Sequence, residues 1–249
     1  MSRLSLAAVR GYVSRNIGSF HSRRLTNLQE LKLAKVLKRK NPYLFKAKNV
    51  LQAQDLVRLL LDAHLSSQEE AIFGEFLEGL AVFVCREVYK GRKSSTEGID
   101  LEFEREGTRY IVSVKSGPNW GNSRQVAKMK DDFRRARRVL GTSGAQTSHL
   151  VAVNGCCYGR DESPNKGDYM KLCGQRFWEL ISGSSDLYTD IVEPLGHTAK
   201  QRNEKFMEAY AGVVNQFTQE FIDNFCDDGC INWHRLVQFN SGSSTKPPV

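Results

Sequence analysis

Between residues 66 and 91, SSQEEAIFGEFLEGLAVFVCREVYKG, Phe73, Phe76, Leu77, Leu80 and Val84 recur at the three- and four-residue intervals of a helix with one apolar face. Ser66 or Ser67 can cap its start, acids fill the first turn and Gly91 closes it. Two further amphipathic helices are predicted before it. LTNLQELKLAKVLKRK carries Leu25, Leu28, Leu31, Leu33, Val36 and Leu37 against lysines on the other face, and VLQAQDLVRLLLDAHL repeats the pattern. NPYLFKAKN separates them, with Asn41-Pro42 as a breaker. The period then falls to two. GIDLEFERE and TRYIVSVKS are β-rich runs joined by EGT, and Tyr110, Val112 and Val114 alternate with Ile111, Ser113 and Lys115, which predicts a hairpin. A basic helix follows, SRQVAKMKDDFRRARRVLG, and then SHLVAVNG, short and apolar enough for a buried strand. Helix, strand, strand, helix, strand over residues 66–155 is the order of an α/β core. Farther on, CGQRFWELISG and EKFMEAYAGVVNQFTQEFIDNFC read as helices, INWHRLVQFNSG as a closing strand or extended segment, and SGSSTKPPV as a disordered tail. The expected division is a basic helical region over 1–65, one globular domain over 66–240 and a tail over 241–249.

Charge adds a partner to this picture. The formal net charge is +8, and it is unevenly spread: residues 1–50 hold 12 Lys and Arg against the single acid Glu30. Such a concentration of cations raises the local concentration of polyanions and supplies phosphate contacts. The acid-free first 29 residues, with Arg3, Arg10, Arg15, Arg23 and Arg24, also suit a transit peptide, but the basic pattern runs on through KLAKVLKRK without a break. No apolar run approaches the length of a membrane span. Six cysteines in 249 residues are too sparse for a disulfide scaffold, so reduced thiols in a cytoplasmic protein are expected. Cys226, Cys230 and His234 have helical i, i+4, i+8 spacing, three soft ligands on one face, but no fourth ligand is evident.

The chemistry concentrates in GIDLEFEREGTRYIVSVKSGPNWGNS, residues 98–123. A fold has no need of an acid at the start of one strand and a lysine in the next. Folding the hairpin back brings Asp100 and Lys115 together, and Ser113 shares a face with Lys115. A carboxylate there can bind Mg²⁺, which takes oxygen ligands and substrate phosphate. An ammonium beside it can stabilise the charge of a phosphoryl transition state or assist the attacking water. The turn that follows leads to a helix cap at Asn122 or Ser123, and a helix N-terminus favours phosphate. This places Ser116, Asn119, Trp120, Asn122 and Arg124 where a nucleic-acid substrate must lie, as contacts or supports of the site. Lys128, with Lys130, Arg134, Arg135, Arg137 and Arg138, can follow a DNA backbone along the next helix. Arg160, on the loop after the buried strand, is of a type that reads base edges.

With Ile99-Asp100 followed by Ser113-Val114-Lys115, the chain resembles the PD-(D/E)XK nuclease superfamily, and type II restriction endonucleases within it. NPYLFKAKN, EEAIFGEFLE, GIDLEF, VSVKSGPNWGNS, VNGCCYGR and CGQRFWELISG all look like one family of restriction enzymes, and together they cover most of residues 41–183. The resemblance implies a restriction-endonuclease-like core, a central mixed sheet flanked by helices, with an N-terminal helical extension. It also implies Mg²⁺-dependent hydrolysis of double-stranded DNA at a short site, by a homodimer, in the cytoplasm of a bacterium or archaeon. Asp100, Ser113 and Lys115 would be its catalytic residues, with Asp100 holding the metal.

One position departs from the pattern. The superfamily usually has Asp or Glu two residues before the Lys, and here that residue is Ser113. A helix can supply the missing acid. Glu70 borders the apolar face of the preceding helix and is the first candidate metal ligand; Glu78, in the family-like FGEFLE, is the second. Glu75, Glu102, Asp131 and Asp132 are the others. Two rival readings stay open: a repair nuclease of the same fold without sequence specificity, and an inactive DNA-binding protein on a nuclease scaffold, for which Ser113 argues.

Overall fold

A computed structural model describes residues 4–141, 149–196 and 199–243. By contact density the chain forms two compact units, Met1–Gly18 with Phe73–His197, and Ser19–Ile72 with Thr198–Val249. The expected boundary at residue 65 falls inside a helix, and residues 199–240 pack with the basic N-terminal helices instead of with the sheet.

The first unit holds the mixed sheet. Strands β1 (Leu101–Arg105) and β2 (Thr108–Lys115) form the predicted hairpin, in register Leu101↔Val112 to Arg105↔Thr108. They turn at Glu106 and Gly107, both with positive φ (52° and 75°), which matches the twist of a tight hairpin. Strand β3 (His149–Cys156) lies parallel to β2, and β4 (Met170–Cys173), which the sequence pattern did not disclose, lies parallel to β3. The order is β1-β2-β3-β4. Ile111 to Val114 are buried on both faces, as a central strand next to a parallel neighbour requires.

The helices of this unit are the beginning of α1 (Leu6–Gln29), the later part of α4 (Ala53–Tyr89), then α5 (Ser123–Gly141), α6 (Gln175–Ser182), α7 (Leu187–Asp190) and α8 (Val192–Gly196). α5 makes the parallel crossover and lays Met129, Phe133 and Ala136 on Ile99, Ile111 and Ala152. Tyr89, at the end of α4, stacks on Phe103 at 5.5 Å, and Phe103 stacks on Tyr110 at 4.9 Å. In α6, Phe177 and Trp178 are buried, and Trp178 Nε1 donates to the carbonyl of Cys157 at 2.8 Å.

The second unit is helical. The rest of α1 and of α4, with α2 (Leu33–Leu37), α3 (Pro42–Ala47), α9 (Ala199–Phe225) and α10 (Trp233–Ser241), enclose Leu28, Val36, Phe45, Leu56, Leu61, Phe217, Phe221 and Leu236. Four expectations are corrected here. The two helices predicted over 50–91 are one: Ser67 donates from Oγ to the carbonyl of Ala63 at 3.1 Å, a bond made inside a helix, so it does not cap a new one. Residues 25–40 divide, since α1 ends at Gln29 and α2 begins at Leu33. Asn41-Pro42 starts a helix, because Asn41 Oδ1 accepts from the Tyr43 N–H at 3.0 Å and Pro42 needs no donor in the first turn. Residues 233–241 form α10, capped by Asn232 Oδ1 accepting from the Arg235 N–H at 2.9 Å, in place of a strand.

Cys226 and Cys230 sit on a short hairpin, β5 (Cys226–Asp227) and β6 (Cys230–Ile231), so they and His234 do not share a helical face. Among the described residues no cluster of three His, Cys, Asp or Glu is placed to hold a metal. No helix among them is long and apolar enough to cross a membrane. Residues 244–249 of the expected tail lie outside the described residues.

Glu102 shows how the sheet carries a buried charge. Burial pushes its carboxyl up, but hydrogen bonds from Ser94 and Arg109 outweigh burial and leave it below the ordinary carboxylate range. Arg109 donates at 2.8 Å and Ser94 at 2.6 Å. A lowered folded pKa means the stabilisation is present above the unfolded value and is lost as pH falls through the folded one. Arg109→Met strips the main partner from a buried carboxylate and is expected to cost about 3 kcal/mol. Urea unfolding at neutral pH checks it; an unchanged midpoint would show that Arg92 and Ser94 suffice.

Candidate active site

Asp100 stands one residue before β1. Its N–H donates to the carbonyl of Val112 at 2.9 Å, which extends the hairpin ladder past Leu101. That register sets its carboxylate against β2, where Oδ2 accepts from the Val114 N–H at 2.7 Å and from Ser113 Oγ at 3.4 Å. Ser113 is 2 % exposed. Ser113 thus supplies a buried hydroxyl that helps to orient the Asp100 carboxylate. Asp100 Oδ1 has no hydrogen bond among the described residues.

Lys115 ends β2 on the same face as Ser113, half-buried, with Nζ 5.1 Å from the centre of the Trp120 ring. The third charged group comes from α4. Glu78 is held above the usual carboxylate range, first by burial and then by the charge of Asp100, while Lys93 and Lys115 pull it down. Asp100 and Lys115 therefore each lie within electrostatic reach of Glu78. Lys93 Nζ is 3.5 Å from Glu78. One turn before Glu78 the helix adjoins the end of β2: a Cβ on Gly74 would lie 3.6 Å from Ser116 Cβ, an ordinary contact.

Three of the other candidate acids are engaged by basic residues. Glu70 is exposed on the stretch of α4 that belongs to the second unit, and Glu75 is exposed. Glu102 is engaged by Arg109, Ser94 and Arg92. Asp131 pairs with Arg134, and Asp132 is buried beneath Lys128 and Arg135.

Two carboxylates are a donor set that suits Mg²⁺, which binds through one or two protein carboxylates and completes its shell with water and substrate phosphate. A neighbouring sulfur suits it less. Cys157 is near enough to feel Glu78, yet burial is the main cause that pushes its thiol up to about 12, and it stays protonated at neutral pH. The oxygen groups fit a hard cation.

A family model described as type II restriction endonuclease EcoO109I matches residues 7–203. The chain belongs to this family. The comparison with curated proteins finds no match. Membership makes the chain a restriction endonuclease acting on DNA, and the matched span includes Asp100, Ser113, Lys115 and Glu78.

In this endonuclease the remaining predicted contacts divide. Asn119, Arg124 and Arg160 are exposed, and Ser116 is partly so. Asn122 caps α5 reciprocally: its Oδ1 accepts from the Gln125 N–H at 3.1 Å and its N–H donates to Gln125 Oε1 at 2.9 Å. The basic residues of α5 are largely spent within the nuclease. Lys128 pairs with Asp132 and Glu97, Lys130 and Arg134 with Asp168, and Arg135 with Glu97. Trp120 Nε1 donates to Asn154 Oδ1 at 3.0 Å. Sequence reasoning missed Lys93 and Asn154.

Proposed function

We propose that this restriction endonuclease cuts both strands of duplex DNA at a short site, using a divalent cation, in practice Mg²⁺, held by Asp100 and Glu78. The observation that carries this reading is the charge grouping at the sheet end: Asp100 fixed by the Val114 N–H, and Glu78, raised first by burial and then by the charge of Asp100, with Lys115 acting on it from β2. When bound there, the cation supplies charge stabilisation to the phosphoryl group and lowers the pKa of an attacking water. Ser113 and the Val114 N–H hold Asp100 through Oδ2. Lys115 offers a positive group toward the charge that grows as water adds to phosphorus and the P–O bond breaks. Lys93 partly neutralises Glu78 from outside.

Affinity for the backbone is assigned to the second unit. Lys32, Lys35, Lys38, Arg39, Lys46 and Lys48 are exposed, and among the described residues none pairs with a carboxylate, in contrast to Lys128, Lys130, Arg134 and Arg135 of α5. A recognition site with two-fold symmetry would match a homodimer.

Digestion of a mapped linear DNA with Mg²⁺ tests the reading. Discrete fragments that are the same on repeated DNAs are expected. A smear of random cuts would favour a repair nuclease, and tight binding with no cutting would favour an inactive scaffold.

A further inference from the structure

The turn after β2 is fastened to the sheet at several points. Asn154 is 1 % exposed and pairs in register with Ser113. Its Nδ2 donates to the carbonyl of Ser113 at 3.3 Å, and its Oδ1 accepts from Trp120 Nε1. Only one orientation of the amide satisfies both, since the carbonyl needs a donor and the indole an acceptor. Lys171 Nζ donates to the carbonyl of Pro118 at 2.9 Å, and the Tyr158 ring packs over Gly117, where an added Cβ would displace it. The indole is therefore a fixed plate, and the Lys115 ammonium lies over it at 5.1 Å.

We infer that Trp120 is a positioning residue for Lys115, locked in place by the buried amide of Asn154, and is not a DNA contact. The inference rests on the reading of Lys115 as a catalytic group. A lysine side chain is long and its head a mobile point charge. A ring face at cation–π distance attracts and confines the ammonium. The circuit closes on the motif itself: Ser113 carbonyl to Asn154, Asn154 to Trp120, Trp120 to Lys115. The strand that carries the lysine also sets the plate that holds it. A base-stacking role is a poorer fit, because one edge of the indole is bonded into the core through Asn154 and the ring packs with the Ile111–Phe133 cluster.

The test uses the full chain with Trp120→Phe, Trp120→Leu and Lys115→Ala. Single-turnover cleavage with Mg²⁺ and DNA affinity without metal are measured on each. Trp120→Phe keeps an aromatic face but loses the N–H that Asn154 holds, so its rate should fall between those of the native chain and Trp120→Leu. Trp120→Leu should lose roughly three- to thirtyfold in rate, the range a cation–π contact spans, with DNA affinity unchanged. If Trp120→Leu melts below the assay temperature, Trp120→Gln takes its place. Equal losses in the Phe and Leu variants, or a loss of affinity that accounts for the loss of rate, would overturn the inference. If Lys115→Ala cleaves normally, the catalytic reading fails first; if Lys115→Ala is inactive while Trp120→Leu is native, only the positioning role fails.

Discussion

Asp100→Asn and Lys115→Ala are each expected to reduce cleavage of a mapped DNA by on the order of a thousandfold, the loss typical of removing one group that stabilises transition-state charge. The two changes act through different steps of the same chemistry. Asn at 100 is nearly isosteric and its Oδ1 can still accept from the Val114 N–H, so the hairpin should survive; what goes is the anionic donor for a cation. Ala at 115 removes the only lysine of the motif strand, while the strand itself is held by its ladders to β1 and β3. Neither residue belongs to the exposed basic surface of α2 and α3. DNA affinity in metal-free buffer should therefore stay within about threefold of native, as expected when the phosphate contacts that dominate affinity are left intact. Single-turnover assays and gel shifts on the same preparations separate the two quantities. Native cleavage by the Asp100→Asn protein would remove this aspartate from the chemistry.

The hairpin and its neighbours were legible because they are locally encoded. Period-two alternation across Tyr110–Lys115 fixes which residues share a face, and a two-residue turn fixes the register that carries Asp100 back to Ser113 and Val114. α5 was legible to the residue, because Asn122 and Gln125 cap it reciprocally and its apolar positions repeat at helical intervals. Strand β4 is four residues long, too short for a period to show. The helix break at Ser66-Ser67 was a false signal, since a serine hydroxyl serves equally well as a cap or as a partner for a carbonyl one turn back. The closing segment 233–241 has aromatic and apolar residues that suit either a strand or a helix, and the Asn232 cap decides it. Tertiary information was needed for the unit boundary, because residues 199–240 are amphipathic in a way that tells nothing about which apolar surface they cover.

The choice between Glu70 and Glu78 shows the same limit at the site, and it is the second large expected effect. A helical wheel ranks residues by their angle to the apolar stripe, so Glu70 at its border outranks Glu78. In the structure the relevant direction is toward the end of β2, which α4 approaches at Gly74, where an added Cβ would be in ordinary contact with Ser116. Glu78 lies one turn farther on, within reach of Asp100 and Lys115. Glu78→Gln is accordingly expected to lower the rate at sub-saturating Mg²⁺ by roughly ten- to a hundredfold, in keeping with losses seen on weakening the surroundings of a metal site. Glu70→Gln, on an exposed stretch of α4, should stay within about twofold, as surface changes do. Because the Glu78 carboxyl is raised, protons compete with the cation there at a higher pH than for an ordinary glutamate. The Mg²⁺ concentration for half-maximal cleavage should therefore climb as pH is lowered into the mildly acidic range, and that climb should flatten in the Gln variant. Mg²⁺ titrations of the two variants at several pH values decide the matter. A large loss in Glu70→Gln with none in Glu78→Gln would transfer the second carboxylate to Glu70 and detach the charge grouping at the sheet end from metal binding.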